Sequence, residues 1–102
     1  MFIELTEDNL QEILSQNEKT LVMFGAPWCG NCKILKPKFK KIASEHEPIL
    51  FVYVDADASP NSRDIITLTN IPTIVSFRGI ENVGQDIGSK VDIVYSVLEN
   101  IK

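Results

Sequence analysis

Thr20-Leu21-Val22-Met23-Phe24-Gly25-Ala26-Pro27-Trp28-Cys29-Gly30-Asn31-Cys32 runs an apolar strand straight into a turn and a closely spaced pair of cysteines. Thr20 to Gly25 lacks polar alternation, as a strand covered on both faces should, and Ala26-Pro27 breaks it. A long helix is predicted from about Cys29 to His46, opening at the cysteines. Pro37 falls inside it, where the missing N–H and a clash with the preceding turn predict a kink. Ile49 to Asp55 then reads as a second buried strand. Strand, helix and strand of these lengths make a βαβ unit with parallel strands and, by strong rule, a right-handed crossover.

Upstream, Phe2 to Leu5 reads as a short strand. Thr6 is placed to cap a helix running to about Asn17, with Leu10, Ile13 and Leu14 on one face. Downstream, Ser59-Pro60-Asn61 can start a short helix reaching about Leu68. Thr73 to Phe77 is another strand. Arg78-Gly79 with Glu81-Asn82 suggests a turn into a last strand ending near Ile87, antiparallel to the one before. Ser89 with Asp92 three positions on has the form of a capping box. Val91, Val94, Tyr95, Leu98 and Ile101 follow at the spacing of an amphipathic terminal helix. The sum is an α/β chain with a mixed sheet between helices.

At 102 residues, with no repeat, composition shift or low-complexity tract, the chain is expected to form one domain over residues 1–102. A chain of this length buries roughly two-thirds of its unfolded surface, so its core needs no staples. The start, Met1 to Asp8, has no basic region ahead of its apolar run, which Glu4 interrupts, so a cytoplasmic protein without a leader is expected. The apolar run Ile49 to Val54 is too short for a membrane span. The net charge of −4 with scattered acids gives no electrostatic support for nucleic-acid or anionic-membrane partners. Five of the ten basic residues, Lys33, Lys36, Lys38, Lys40 and Lys41, follow Cys32 within nine positions and read as a solvated helix face.

The chemistry sits in Cys29 and Cys32. A helix N-terminus presents unpaired N–H groups and roughly half a positive charge, which favour a thiolate placed there. Cys29 is then the nucleophile that attacks a disulfide. Cys32, one turn on, resolves the mixed disulfide, and the spacing lets the two sulfurs close a disulfide of their own. Inert core thiols fit poorly in a Trp-flanked Pro/Gly turn. Structural zinc takes four ligands as a rule, and only His46 is left as a further soft ligand, so no metal is expected. His46 itself suits the C-terminal end of its helix.

These residues resemble the thioredoxins. The likeness rests on Ala26-Pro27-Trp28-Cys29-Gly30-Asn31-Cys32-Lys33, then Pro37 in the helix, Ile71-Pro72-Thr73 at a strand start and Gly88 before the last helix, and it covers essentially the whole chain. It implies the thioredoxin fold, a central mixed sheet of about five strands flanked by about four helices. It also implies a protein-disulfide reductase with a redox-active Cys29–Cys32 disulfide and no bound cofactor, working as a monomer between disulfide-containing protein substrates and a thioredoxin reductase. In the family the proline matching Pro72 is cis and faces the sulfurs, where it also discourages metal capture. Ile71 can offer backbone groups to an extended substrate segment. Trp28, Gly30, Asn31, Ile71, Pro72, Ile87 and Gly88 correspond to the substrate-binding rim.

Three positions depart from the family pattern. Asn31 stands where proline is usual, restoring an N–H and adding an amide near Cys29, which predicts a more oxidising couple. Met23 replaces a buried aspartate held to manage the Cys32 proton, and Tyr53 replaces a lysine on the next strand. Cys32 is therefore expected to rely on water or another group, with slower resolution. Asp55 and Asp57, at the end of that strand, read as solvated loop residues. Two other readings share the fold: a redox-inactive binding module, against which both cysteines argue, and a glutathione-linked glutaredoxin-like enzyme, for which no glutathione-binding charge set is visible.

Overall fold

The apolar run becomes β2 (Lys19–Gly25), whose Leu21, Val22, Met23 and Phe24 are all fully buried. The computed structural model describes residues 1–102. Around β2 stand β1 (Phe2–Glu4), α1 (Leu10–Ser15), α2 (Gly30–Ser44), β3 (Leu50–Asp55), α3 (Pro60–Arg63), β4 (Thr73–Arg78), β5 (Glu81–Ile87), α4 (Val91–Leu98) and a final 3-10 turn at Glu99–Ile101. The sheet order is β1-β3-β2-β4-β5, with β1, β3 and β2 parallel and the β2/β4 and β4/β5 pairs antiparallel. This five-stranded mixed sheet with four helices is the architecture expected. No helix is long and apolar enough to cross a membrane.

Successive side chains on a strand point to opposite faces, and the two cores divide accordingly. Leu21, Met23 and Phe51 join the α2/α4 side, while Val22, Phe24, Val52 and Val54 join the side that holds Leu10, Leu14 and Ile66. Phe39 of α2 locks the first core, its ring 5.0 Å from Phe51 and 6.1 Å from Phe2. Pro37 lies inside α2, yet the helix continues unbroken to Ser44. Lys33, Lys38, Lys40 and Lys41 are exposed along it, whereas Lys36 is half-buried and ion-paired with Glu4. Beyond its end, His46 sets Nδ1 2.9 Å from the Ile42 carbonyl and its ring beside Phe51 and Tyr95. The β4/β5 turn is Gly79-Ile80, with Gly79 at φ 56°, the left-handed region that a two-residue hairpin turn demands.

Three helix ends differ from their sequence signals. Thr6 caps nothing: α1 starts at Leu10 behind Asn9, which makes no side-chain cap. The start is capped across the fold instead, because the Leu10 N–H donates to Ser62 Oγ at 3.1 Å. Asp8 returns the favour at α3, accepting the N–H groups of Asn61 at 2.8 Å and Ser62 at 2.7 Å. α3 stops at Arg63 rather than near Leu68. The β-branched Ile65, Ile66, Thr67 and Thr69 weaken helix continuation, and Ile66 is drawn into the second core. The Ser89/Asp92 capping box is absent as well, since extended Lys90 (φ −91°, ψ 144°) is the residue before α4 and Ser89 falls one position too early.

Burial of Asp8 acts to raise its carboxyl, but the hydrogen bonds from Ser62 and Asn61 outweigh that and hold it below its ordinary 3.8. A carboxylate with a depressed folded value contributes stability that is present above the unfolded value and lost as pH falls through the folded one. Asp8→Ala should therefore lower the thermal midpoint at neutral pH and shrink the acid-side loss of stability. Thermal melts of both proteins from neutral pH downward check this, and parallel pH profiles would count against the cap.

Candidate active site

Connectivity brings four segments to one end of the sheet. Gly25 at the end of β2 pairs with Asp55 at the end of β3, Phe24 pairs with Thr73 at the start of β4, and Thr73 pairs with Ile87 at the end of β5. The loops that follow or precede these residues therefore meet beyond the carboxyl ends of the parallel strands, where α/β sheets commonly place a site. Two backbone bonds tie them together: Ala56 N–H to the Gly25 carbonyl at 2.8 Å, and Gly88 N–H to the Pro72 carbonyl at 3.1 Å. The Ile71–Pro72 peptide is cis, and so is Glu47–Pro48 at the far end, which carried no sequence signal.

Cys29 is the residue before α2 rather than part of it. Its backbone is extended (φ −88°, ψ 108°), its N–H closes the turn onto the Ala26 carbonyl at 3.1 Å, and its Sγ accepts the Cys32 N–H at 3.2 Å. The sulfur thus does what a serine or aspartate oxygen does at a helix start, satisfying one orphan donor of the first turn. The donor is the Cys32 backbone, while Asn31 stands exposed on the same turn. Cys29 and Cys32 are joined in a disulfide with their Cα atoms 5.2 Å apart, within the span that such a bond requires. Cys29 is 8% exposed and Cys32 only 1%. Both are buried, Cys32 the more completely.

Beside the pair, Trp28 is 71% exposed, unusual for so large a ring, but it is not loose: its indole N–H donates to Asp57 Oδ2 at 2.6 Å. Asp57 is in turn set by Asp55, whose Oδ1 accepts the N–H groups of Asp57 and Ala58 at 3.0 and 3.2 Å. Asp57 is an exposed turn residue, as expected, and Asp55 closes β3, and both also belong to the frame around Trp28. The trace in the sequence is the Asp-x-Asp spacing after a strand, which suits a side chain that turns its own backbone. Trp28 and Ile71 line one cleft of about 590 Å³, with Asp57, Arg63 and Asp64 on its polar side. Ile87 is exposed and Gly88 half-buried at the end of the β5 edge, Pro72 is buried beneath, and Gly30 is exposed on the first turn of α2. No three His, Cys, Asp or Glu side chains are grouped as a metal ion would need.

The thioredoxin family model matches residues 1–99. The chain belongs to the thioredoxin family. A thioredoxin of Buchnera aphidicola from Schizaphis graminum is 36% identical over 98% of this chain and 96% of its own length. The solved thioredoxin of Schistosoma mansoni superposes with a TM-score of 0.90 at 30% identity, over 99% of this chain and 95% of that one. Two relatives are longer. The chain spans 57% of a putative thioredoxin 2 of Streptomyces coelicolor (34% identity, 74% of this chain) and 20% of a bifunctional thioredoxin reductase/thioredoxin of Mycobacterium leprae (37% identity, 86% of this chain). Thioredoxin membership and a disulfide-bonded cysteine pair together support thiol-disulfide oxidoreductase function.

Trp28 is the single tryptophan, so its tether can be read directly. Asp57→Ala should free the indole and add a fast component to the tryptophan anisotropy decay, with little change in thermal stability because the bond is exposed. An unchanged decay would mean that packing, not Asp57, holds the ring.

Proposed function

We propose that the chain reduces protein disulfides, with Cys29 attacking and Cys32 resolving. The observation that carries this assignment of roles is the asymmetry of the pair. Cys29 is the more accessible of the two, at the N-terminus of α2, with a backbone N–H already directed at its sulfur. When reduced, that sulfur is an anion held by the hydrogen bond and the helix dipole. It attacks a substrate disulfide and forms a mixed disulfide. Cys32, fixed one turn away, attacks the Cys29 sulfur, and the substrate leaves reduced. Trp28, Gly30, Asn31, Ile71, Pro72, Ile87 and Gly88 form the proposed docking rim, with an extended substrate segment pairing along the Ile71 backbone. A thioredoxin reductase is the proposed electron donor, a role that fits the fusion of the two activities in the Mycobacterium leprae relative. A cytoplasmic setting fits the same reading, because a dithiol reductant needs a reducing pool around it.

Insulin reduction tests this. The wild type should precipitate insulin when a bacterial thioredoxin reductase supplies electrons, and not when glutathione alone does. Cys29→Ser should lose the activity, and Cys32→Ser should accumulate a mixed disulfide with insulin chains that dithiothreitol releases. Activity surviving in Cys29→Ser would remove that residue as nucleophile. Activity with glutathione alone would favour the glutaredoxin-like reading.

Asn31 tunes the couple. It keeps an N–H on the first turn of α2 that proline lacks, one residue from the donor already on Cys29, and extra donation to the thiolate favours the reduced form. Asn31→Pro should therefore be more reducing by about 30 mV, the equivalent of about 1.4 kcal/mol for a two-electron couple. Equilibration of both proteins against glutathione measures the difference, and a proline variant that is equally or more oxidising refutes the idea.

A further inference from the structure

Cys32 must lose a proton before it can attack, yet it is 1% exposed in a core shared with Met23, Leu35 and Phe39. Apolar burial disfavours the thiolate and leaves the proton without a direct path to water. On this face β2 places Met23 and Gly25 at its cysteine end, and its one ionisable residue, Lys19, lies at the opposite end of the strand. The charged or titratable side chains on the other elements near the cysteine end are Lys33 and Lys36 of α2, Glu4 of β1, and Tyr53 and Asp55 of β3, all of which line one cleft of about 380 Å³ together with Ala26 and Pro27.

Gly25 shows which of them faces the same space as the sulfur. A methyl group built on its α-carbon would lie 2.5 Å from the Tyr53 hydroxyl oxygen and 3.1 Å from Cys32 Sγ. Hydroxyl and sulfur thus close on the same point, and only a residue without a side chain leaves room for both. The strand register explains the meeting. Tyr53 pairs with Met23 on the neighbouring strand and packs against the same core as Cys32, on the α2 side of the sheet. Its ring is held from the other side by Lys36, with Nζ 4.4 Å from the ring centre, and Lys36 is itself paired with Glu4.

We infer that the Tyr53 hydroxyl stabilises the Cys32 thiolate as a hydrogen-bond donor in the resolving step, at the inner end of a cleft through which the proton leaves. The inference deepens the disulfide-reductase reading and rests on it. In the mixed disulfide, the Cys32 thiol gives its proton to the Tyr53 hydroxyl oxygen as the hydroxyl passes its own proton to water in the cleft, which Tyr53 lines. The Cys32 thiolate, held by the Tyr53 O–H, attacks the Cys29 sulfur. The Cys29–substrate bond breaks, and the substrate sulfur departs with the electron pair and takes a proton from water. Two electrons pass from the dithiol to the substrate, and Tyr53 begins and ends the cycle as a neutral phenol. Burial, then the charges of Asp55 and Glu4, raise the phenol above its ordinary 10.0, so it remains a donor throughout the neutral range.

The resolving step can be isolated without any protein substrate. When the reduced protein meets an excess of a chromogenic aryl disulfide, the first aryl thiol is released by attack from Cys29 and the second by attack from Cys32, at a rate independent of reagent concentration. Tyr53→Phe keeps the ring beneath Lys36 and removes only the hydroxyl. It should slow the second release about tenfold near neutral pH, the loss of a hydrogen bond to a charged group, and move its pH midpoint upward. Gly25→Ala, which puts a methyl between hydroxyl and sulfur, should also slow it, and should add little once Tyr53→Phe is present. A second release in Tyr53→Phe with the wild-type pH profile overturns the inference, as does full additivity of the two substitutions. Wild-type protein that shows a normal second release but does not reduce insulin overturns the reductase reading instead.

Discussion

The constraint on which the rest depends is the burial of β2 on both faces. Its side chains alternate between two cores, and its edges pair with β3 on one side and β4 on the other, so neither can shift by one residue without inverting both cores. A register held so firmly at Phe24 and Gly25 fixes where the chain emerges. Two residues later, Pro27 and Trp28 turn it into α2, and the first sulfur arrives at the helix end. The positions of Asp55 and Thr73 are fixed by direct pairing with β2 on either side, and that of Ile87 by pairing with Thr73, one strand further out. The reactive end of the molecule inherits its geometry from the middle.

The local chemistry is built from few groups. The Cys29 sulfur takes the place of a capping oxygen, so the need of α2 for a cap and the need of a thiolate for a donor are met by one contact. Around Cys32 the arrangement differs from the family pattern named above. Met23 fills the core without a proton to give or take, and the phenol of Tyr53 and the buried sulfur meet at Gly25. Lys36 and Glu4 are spent on holding that ring rather than on the cysteines. The remaining lysines of α2 leave the helix with an exposed basic face in a chain of net negative charge.

Much of the fold could be read from periodicity, because strands buried on both faces and amphipathic helices leave local patterns. The strands appeared close to where apolar runs and turn signals put them, and the parallel β2/β3 and antiparallel β4/β5 pairs followed from their connections, whereas the β1/β3 and β2/β4 pairs join strands that no short connection links. Helix ends were read less well. Thr6 and Ser89 carry the right side chains, yet α1 and α4 begin elsewhere, and α1 and α3 cap one another through Asp8 and Ser62. Those partners are more than fifty residues apart in sequence, and no local signal connects them. Asp57 was likewise read as a solvated loop residue, although it anchors the exposed ring of Trp28.

By itself, the sequence determined the strand-helix-strand order, the two-sided burial of β2 and the placement of a Cys-x-x-Cys at a helix start, since each of these is set by residues within a few positions of one another. The thioredoxin resemblance added Pro72 and the rim by position, not by physics. Only the tertiary structure decided which cysteine is the inner one, that Gly25 is the point where the Tyr53 hydroxyl and the Cys32 sulfur meet, and that an aspartate one strand away holds Trp28. Such facts depend on register and on the path of side chains through a packed core, and side chains so far apart in sequence meet only after the sheet has closed.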